Sequence, residues 1–398
     1  MEDMKMPRND ETLATRKPIA PLGMIPMKSI EAIGTRVDEY LVKWRANRSS
    51  DHLDDITRLS YQSQSYIIDA KVPRFGTGEA KGQLTQSVRG LDVYIMTDVT
   101  NYSLSYTVCG HENHMSPDDH FADLKRIIAA IEGKANRITV ILPFLYEGRQ
   151  HRRSSRESLD CAIALQELVS MGVDNIITFD AHDPRVQNAI PLHGFETVQP
   201  AYQFIKGILK ETKDIRIDND HLMIISPDEG GTNRAVYMAS VLGVDMGMFY
   251  KRRDYTTVID GKNPILAHEF LGSNVAGKDI IVIDDMISSG ESILDVATEL
   301  KARKANRVFL LSTFGLFANG LKVFDEAYER GIFDRVLTTN AVYQPQDLLE
   351  REYYISCDIS KYIAFIIDTL NHDSSISDLL NPNGRIQRLV ARYKNGLI

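Results

Sequence analysis

Residues 279–296, DIIVIDDMISSGESILDV, hold four consecutive branched apolar residues (Ile280 to Ile283), two adjacent acids, a small polar run, and then helical spacing from about Ile293. An unbroken branched run of this length reads as a strand buried on both faces. A turn and a helix directly after it make one arm of a strand–helix–strand unit, which implies a parallel sheet. In such sheets ligands bind beyond the carboxyl ends of the strands, and Asp284, Asp285, Ser288, Ser289, Gly290 and Ser292 would stand there. Backbone N–H groups at a helix start form a nest for a phosphate, and paired carboxylates accept hydrogen bonds from sugar hydroxyls. An ordinary turn and cap would satisfy the backbone equally well, but two adjacent acids at a strand end rarely serve packing.

Working outward, the same grammar recurs. SYIIDAKV, GLDVYIMT, RITVILPF, NIITFDAH, HLMIISPD and RVFLLSTF are short apolar runs. Between several of them lie the helical stretches HFADLKRIIAAIEGK, SRESLDCAIALQELVSMG, GGTNRAVYMASVLG and ESILDVATELKARKA. The alternation predicts an α/β protein with mostly parallel sheets flanked by helices. The strands are too many for one sheet, so the expectation is two similar α/β domains, 51–205 and 206–355, without a fixed-period repeat. An N-terminal extension, 1–50, would carry an amphipathic helix over Ser29–Ala46, with Ser29 as a cap and Trp44 in packing. A helical segment and tail would fill 356–398.

Composition narrows the class. In 398 residues, 43% apolar and 25% charged, there is material for two cores. The net charge of −8 argues against a protein that tracks nucleic acid. No apolar run nears the length of a membrane span, and the first residues lack a secretory apolar core. Three scattered cysteines (109, 161, 357) fit neither a disulfide framework nor a zinc cluster. The expectation is a cytoplasmic protein without membrane or nucleic-acid partners.

The 279–296 stretch resembles the phosphoribosyl-diphosphate binding motif shared by type I phosphoribosyltransferases and ribose-phosphate diphosphokinases. Five other segments resemble the diphosphokinase family in the family's order: RFGTGEAKGQLTQSVRGLDVYIM (74–96), PFLYEGRQHRRSSRES (143–158), FDAHDPRVQNAI (179–190), ISPDEGGTNRA (225–235) and YKRRDY (250–255). The resemblance spans about Arg74 to about Leu380 and leaves 101–121 and the tail without a role. It implies two tandem type I phosphoribosyltransferase-like domains. It also implies an enzyme that transfers the β,γ-diphosphoryl group of Mg-ATP to the anomeric hydroxyl of ribose 5-phosphate, giving AMP and 5-phosphoribosyl 1-diphosphate.

Carried over residue by residue, Phe75 and Glu79 would hold adenine across a subunit boundary of a homo-oligomer. Arg149, Gln150 and His182 would bind ATP, with Arg156 a weaker candidate. His182 and Asp228 would hold Mg2+. Asp284 and Asp285 would bind the ribose hydroxyls, and Ser288, Ser289, Gly290 and Ser292 the 5-phosphate. Lys251 and Arg253 would neutralise the transferring group. Thr77, His151, Ser288 and Glu291 stand where the family has other residues. Those departures keep two alternatives open: a catalytically weakened homologue serving as a regulatory subunit, and a phosphoribosyltransferase.

Overall fold

A computed structural model describes residues 16–48, 60–253 and 265–397. The chain divides into two compact units. One comprises Met1–Gln199, Ala341–Tyr343 and Ile359–Asn381; the other comprises Pro200–Asn340, Gln344–Asp358 and Pro382–Ile398. The boundary expected after residue 205 falls inside the helix Ala201–Glu211. The expected tail, 356–398, is shared between the units.

In the first unit five parallel strands lie side by side in chain order: Leu22–Pro26, Asp92–Met96, Arg137–Leu142, Asn175–Phe179 and Gly194–Val198. The segment expected to be an extension therefore supplies an edge strand. LGMIP has a glycine, a proline and only five residues, too little pattern to read alone. The following helix, Glu31–Arg48, packs Trp44 flat on Phe365 with ring centroids 4.3 Å apart. Ser29 does not cap that helix. It is buried, within 3.1 Å of the Thr97 hydroxyl and accepting from the Asp98 N–H.

The second unit holds seven strands, in the order Ile265–Leu271, Asp245–Arg253, Leu222–Ser226, Asp279–Ile287, Val308–Gly315, Arg335–Thr339 and Tyr354–Cys357. All neighbours are parallel except the first pair. The chain starts at Leu222–Ser226, builds outward through two strands, then returns to build the other side from Asp279–Ile287. Strand order thus reverses between Leu222–Ser226 and Asp279–Ile287, the position at which helices leave in opposite directions and a crevice opens at the carboxyl ends.

At the amino ends, both sheets rest on the same device. Asp92 begins one strand and takes two hydrogen bonds of 2.8 Å from Arg137, which begins the next. Asp279 and Arg307 repeat this at 3.0 and 2.6 Å. Gly90 donates to the Lys134 carbonyl and Gly277 to that of Lys304, both at 2.9 Å and both with positive φ. Asp174 and Asp334 each accept from an N–H at the start of the neighbouring strand, at Ile138 and Val308, both at 2.8 Å. The tetrapeptide KANR stands at 134–137 and again at 304–307. The halves therefore share a local repeat that strand-by-strand analysis does not reveal.

In the first unit the device is extended by buried groups. Asn371 donates to Asp92 (2.8 Å) and accepts from Arg45 (2.7 Å), while Arg45 also donates to Asp368 (3.0 Å). This ties Glu31–Arg48 and the helix Ser360–Asn371 to the sheet. Among the described residues no helix is long and apolar enough to cross a membrane.

The two copies of the device differ in exposure, and stability should follow. Asp92 and Arg137 keep 0% and 16% of their side chains exposed against 6% and 23% for Asp279 and Arg307, and Arg307 has a second partner in Asp214. Removing one partner of a buried pair costs about 3–5 kcal/mol. Urea unfolding should show Asp92→Ala near that range and Asp279→Ala somewhat less; a larger loss for Asp279→Ala would contradict the assigned difference.

Candidate active site

The reversal point of the second sheet is lined by the segments that follow its two central strands. After Ser226, the Asp228 carboxylate accepts from the N–H groups of Gly230 (2.9 Å) and Gly231 (3.3 Å), bending the chain into the helix Thr232–Leu242. A Cβ on Gly231 would lie 2.8 Å from the Ser226 hydroxyl and 3.3 Å from the Ile283 carbonyl, so the close approach of the two strand ends requires glycine.

On the neighbouring strand, Asp285 is 4% exposed and faces Arg234 at 3.7 Å. Asp284 accepts from the Asp285 N–H at 2.9 Å. Burial, with Asp285 and Asp228 close by, pushes the Asp284 carboxyl well above the usual carboxylate range. Asp228, Asp284, Asp285 and Arg234 are thus gathered at one crevice. Arg234 was not singled out from sequence, although it lies in the ISPDEGGTNRA segment.

Ser288, Ser289 and Gly290 carry the strand into the helix Glu291–Ala302, which starts two residues earlier than the expected Ile293. Gly290 has φ 91°, and a Cβ there would lie 2.4 Å from the Phe324 ring. No other residue fits that turn without displacing the ring. The Ser289 hydroxyl is 3.5 Å from the Glu291 N–H, and Ser292 stands in the first turn. Glu291 is exposed there, where an acid is favoured by the helix dipole.

In the first unit, Arg149 and His182 follow adjacent strands, Arg137–Leu142 and Asn175–Phe179, so their loops are neighbours. The His151 and His182 rings lie 5.3 Å apart, and His151 Nε2 is 3.6 Å from Asp183. The hydrogen bonds of Arg185 draw the Asp183 carboxyl down to about 2. Arg149 and His182 are exposed. Gln150 instead donates to the Ser158 carbonyl at 2.8 Å, holding its own loop.

Phe75 and Glu79 close a tight loop: the Phe75 N–H donates to the Glu79 carbonyl (2.7 Å), and the Gly78 N–H to that of Phe75 (2.9 Å). Phe75 is 52% exposed. Thr77 donates to the Glu79 carboxylate at 2.9 Å, so the hydroxyl at this departing position engages the very acid expected to face adenine.

Lys251 and Arg253 lie at the end of the strand Asp245–Arg253, paired in register with His268 and Ile265. Their side chains, and the residues just beyond, lie outside the described part of the chain. Among the described residues no three His, Cys, Asp or Glu side chains form a ready metal cluster. The carboxylates at the reversal point offer the oxygen donors that magnesium takes one or two at a time alongside phosphates.

Comparisons with known proteins bear on the family and the fold. The family model described as the N-terminal domain of ribose phosphate pyrophosphokinase matches residues 32–172, and the phosphoribosyl transferase domain model matches 195–345. The ribose-phosphate pyrophosphokinase of Vibrio parahaemolyticus is 29% identical over 318 residues, covering 79% of this chain and 91% of that protein. That of Pasteurella multocida is 29% identical over 324 residues, covering 80% and 93%. Among solved structures, phosphoribosylpyrophosphate synthetase from Mycobacterium smegmatis is similar with a TM-score of 0.69 at 20% identity, covering 89% of this chain and 99% of that one. At that identity it establishes the shared fold.

The raised Asp284 carboxyl has a measurable sign. An acid whose folded pKa lies above its unfolded value favours folding while protonated, and that contribution is lost as pH rises through the folded pKa. Asp284→Asn should therefore raise the melting temperature of the protein without substrates by about 3 °C at pH 8, with little change at pH 4. An equal shift at both pH values would contradict the assigned strain.

Proposed function

We propose, for a chain that belongs to the ribose-phosphate pyrophosphokinase family, that it converts ribose 5-phosphate and Mg-ATP to 5-phosphoribosyl 1-diphosphate and AMP. The observation that carries this reading is the presence, in one chain, of a match to the family's N-terminal domain over residues 32–172 and, at the reversal point, of a loop that resembles the phosphoribosyl-diphosphate motif. A phosphoribosyltransferase would leave the loops of the first unit without a task.

In the reaction the anomeric oxygen of the sugar forms a bond to the β-phosphorus of ATP. The bond from that phosphorus to the oxygen bridging to the α-phosphate breaks, AMP leaves with that oxygen, and the anomeric proton passes to solvent or to Asp228. Asp284 and Asp285 would accept from the ribose hydroxyls. A carboxylate already strained by its neighbours gains most from such donors. Ser288, Ser289, Gly290 and Ser292 would cradle the 5-phosphate at the helix start. Glu291 stands exposed, which is compatible with an anion in the nest only while its carboxylate points to water.

Arg149 and His182 would bind the triphosphate, and Lys251 and Arg253 would neutralise charge building on the transferred group. Magnesium would supply further neutralisation and orient the triphosphate. Asp228 offers the oxygen such a hard ion takes, whereas His182 offers nitrogen and suits a phosphate partner better. The exposed Phe75 supports a nucleotide site completed by a neighbouring copy in a homo-oligomer. Three unpaired cysteines, Cys109 exposed and Cys161 and Cys357 buried, fit a cytoplasmic location.

AMP release from Mg-ATP, measured with and without ribose 5-phosphate, tests the reading directly. Sugar-dependent AMP is expected, and its absence in folded protein would favour the regulatory homologue, for which the Thr77 to Glu79 contact is the structural argument. Lys251→Ala should lower kcat about 100-fold while the KM for ATP stays within about threefold, because its charge matters mainly as the group transfers. Mixed assemblies of Phe75→Ala and Lys251→Ala subunits should recover activity that neither has alone; no recovery in verified mixtures would remove the shared site.

A further inference from the structure

The stretch 101–121, which no resemblance explained, folds into a hairpin that grips the Phe75–Glu79 loop. Ser105–Val108 pairs antiparallel with His111–His114 around Cys109 and Gly110, whose φ angles are 49° and 85°. Two central residues in the left-handed region make the turn whose twist suits a two-residue hairpin. The turn docks by its backbone, the Cys109 N–H donating to the Gly76 carbonyl at 2.8 Å.

Side chains complete the grip. Arg74, immediately before Phe75, lays its guanidinium over the Tyr106 ring, 4.3 Å from the centroid. It also donates to Asp123 at 2.7 Å. The Tyr106 hydroxyl donates to Asp119 at 2.8 Å, so ring and guanidinium are both anchored to the helix Pro117–Ile131. Gly78, with φ 91°, has its α-carbon against the hairpin: a Cβ there would lie 3.1 Å from Val108 and 3.7 Å from Tyr106. The loop is therefore held just before its first residue by the cation–ring contact of Arg74, at its second by a backbone bond, and at its fourth by the close approach of the hairpin to Gly78.

We propose that the hairpin Ser105–His114 is a positioning element that sets the conformation of the Phe75–Glu79 loop and thereby the affinity for the nucleotide, with Tyr106 as its central residue. The proposal rests on the assignment of that loop to ATP under the proposed function. Tyr106 touches no substrate in this view; it acts through Arg74.

Two variants and two readouts test it. Tyr106→Ala should raise the KM for ATP about tenfold, leave kcat within about twofold and leave the KM for ribose 5-phosphate unchanged. Tyr106→Phe keeps the ring under Arg74 and should remain within about twofold of the native protein. Excising 105–114 and joining Leu104 to Met115 through two glycines is geometrically allowed, because the Met115 N–H already bonds the Leu104 carbonyl at 2.9 Å. This variant keeps the test available if Tyr106→Ala does not fold.

Amide hydrogen exchange at Phe75 and Gly78, measured without substrates, should accelerate in both the Tyr106→Ala and the excised proteins. Unchanged exchange in both, or an ATP KM within twofold of native in Tyr106→Ala, overturns the proposal. Accelerated exchange in a chain that makes no AMP would support the brace while removing the proposed function, so the two failures are separable.

Discussion

The fold is founded on a carboxylate that water never reaches. Asp92 sits at the amino end of its strand, fully buried, and is held by both donors of the Arg137 fork and by Asn371. An unpaired charge in that position would cost several kcal/mol, so the helix that supplies Asn371 and the strand that supplies Arg137 must both be in place for the sheet to close. Through Arg45 and Asp368 the same requirement reaches the N-terminal helix. The second sheet solves its amino edge with Asp279 and Arg307 in a more open setting.

The carboxyl ends of the strands follow the opposite rule. At the amino ends Asp92 and Asp279 each meet a guanidinium at hydrogen-bond distance. At the reversal point of the second sheet Asp284 is raised by burial and by two acidic neighbours, and Arg234 stands 3.7 Å from Asp285. Stability is concentrated at one edge of the sheet and unbalanced charge at the other. An arrangement of this kind is stabilised by any hydrogen-bond donor or cation that relieves the repulsion among its acids.

Much of this was legible in the sequence, and the losses have physical causes. Runs such as Ile280 to Ile283 and Val308 to Leu311 are buried on both faces, so their pattern is unbroken and the strands stand out, although the first continues past the expected end through Asp284 and Asp285 to Ile287. Edge and short strands carry less information: Leu22–Pro26, Gly194–Val198 and Tyr354–Cys357 each have four or five residues with polar or special members. The expected domain boundary falls inside the helix Ala201–Glu211 because Lys206, Lys210 and Glu211 obscure its apolar face, Phe204, Ile205, Ile208 and Leu209. Gln150 and Thr77 were readable as loop residues but not their partners, Ser158 and Glu79, since neither choice leaves a periodic trace. The KANR repeat needed a comparison of distant halves rather than a reading of adjacent elements.

The units are interleaved along the chain, and this bears on how the protein is made. The first unit is closed by residues 359–381, which emerge from the ribosome only after most of the second unit. At typical rates of synthesis the delay after residue 199 is on the order of ten seconds. Throughout that interval Arg45 and Asp92 lack the Asp368 and Asn371 they will meet. The nascent first sheet must wait with its amino edge unsealed, so the late-made helix Ser360–Asn371 commits the first-made unit to its native state.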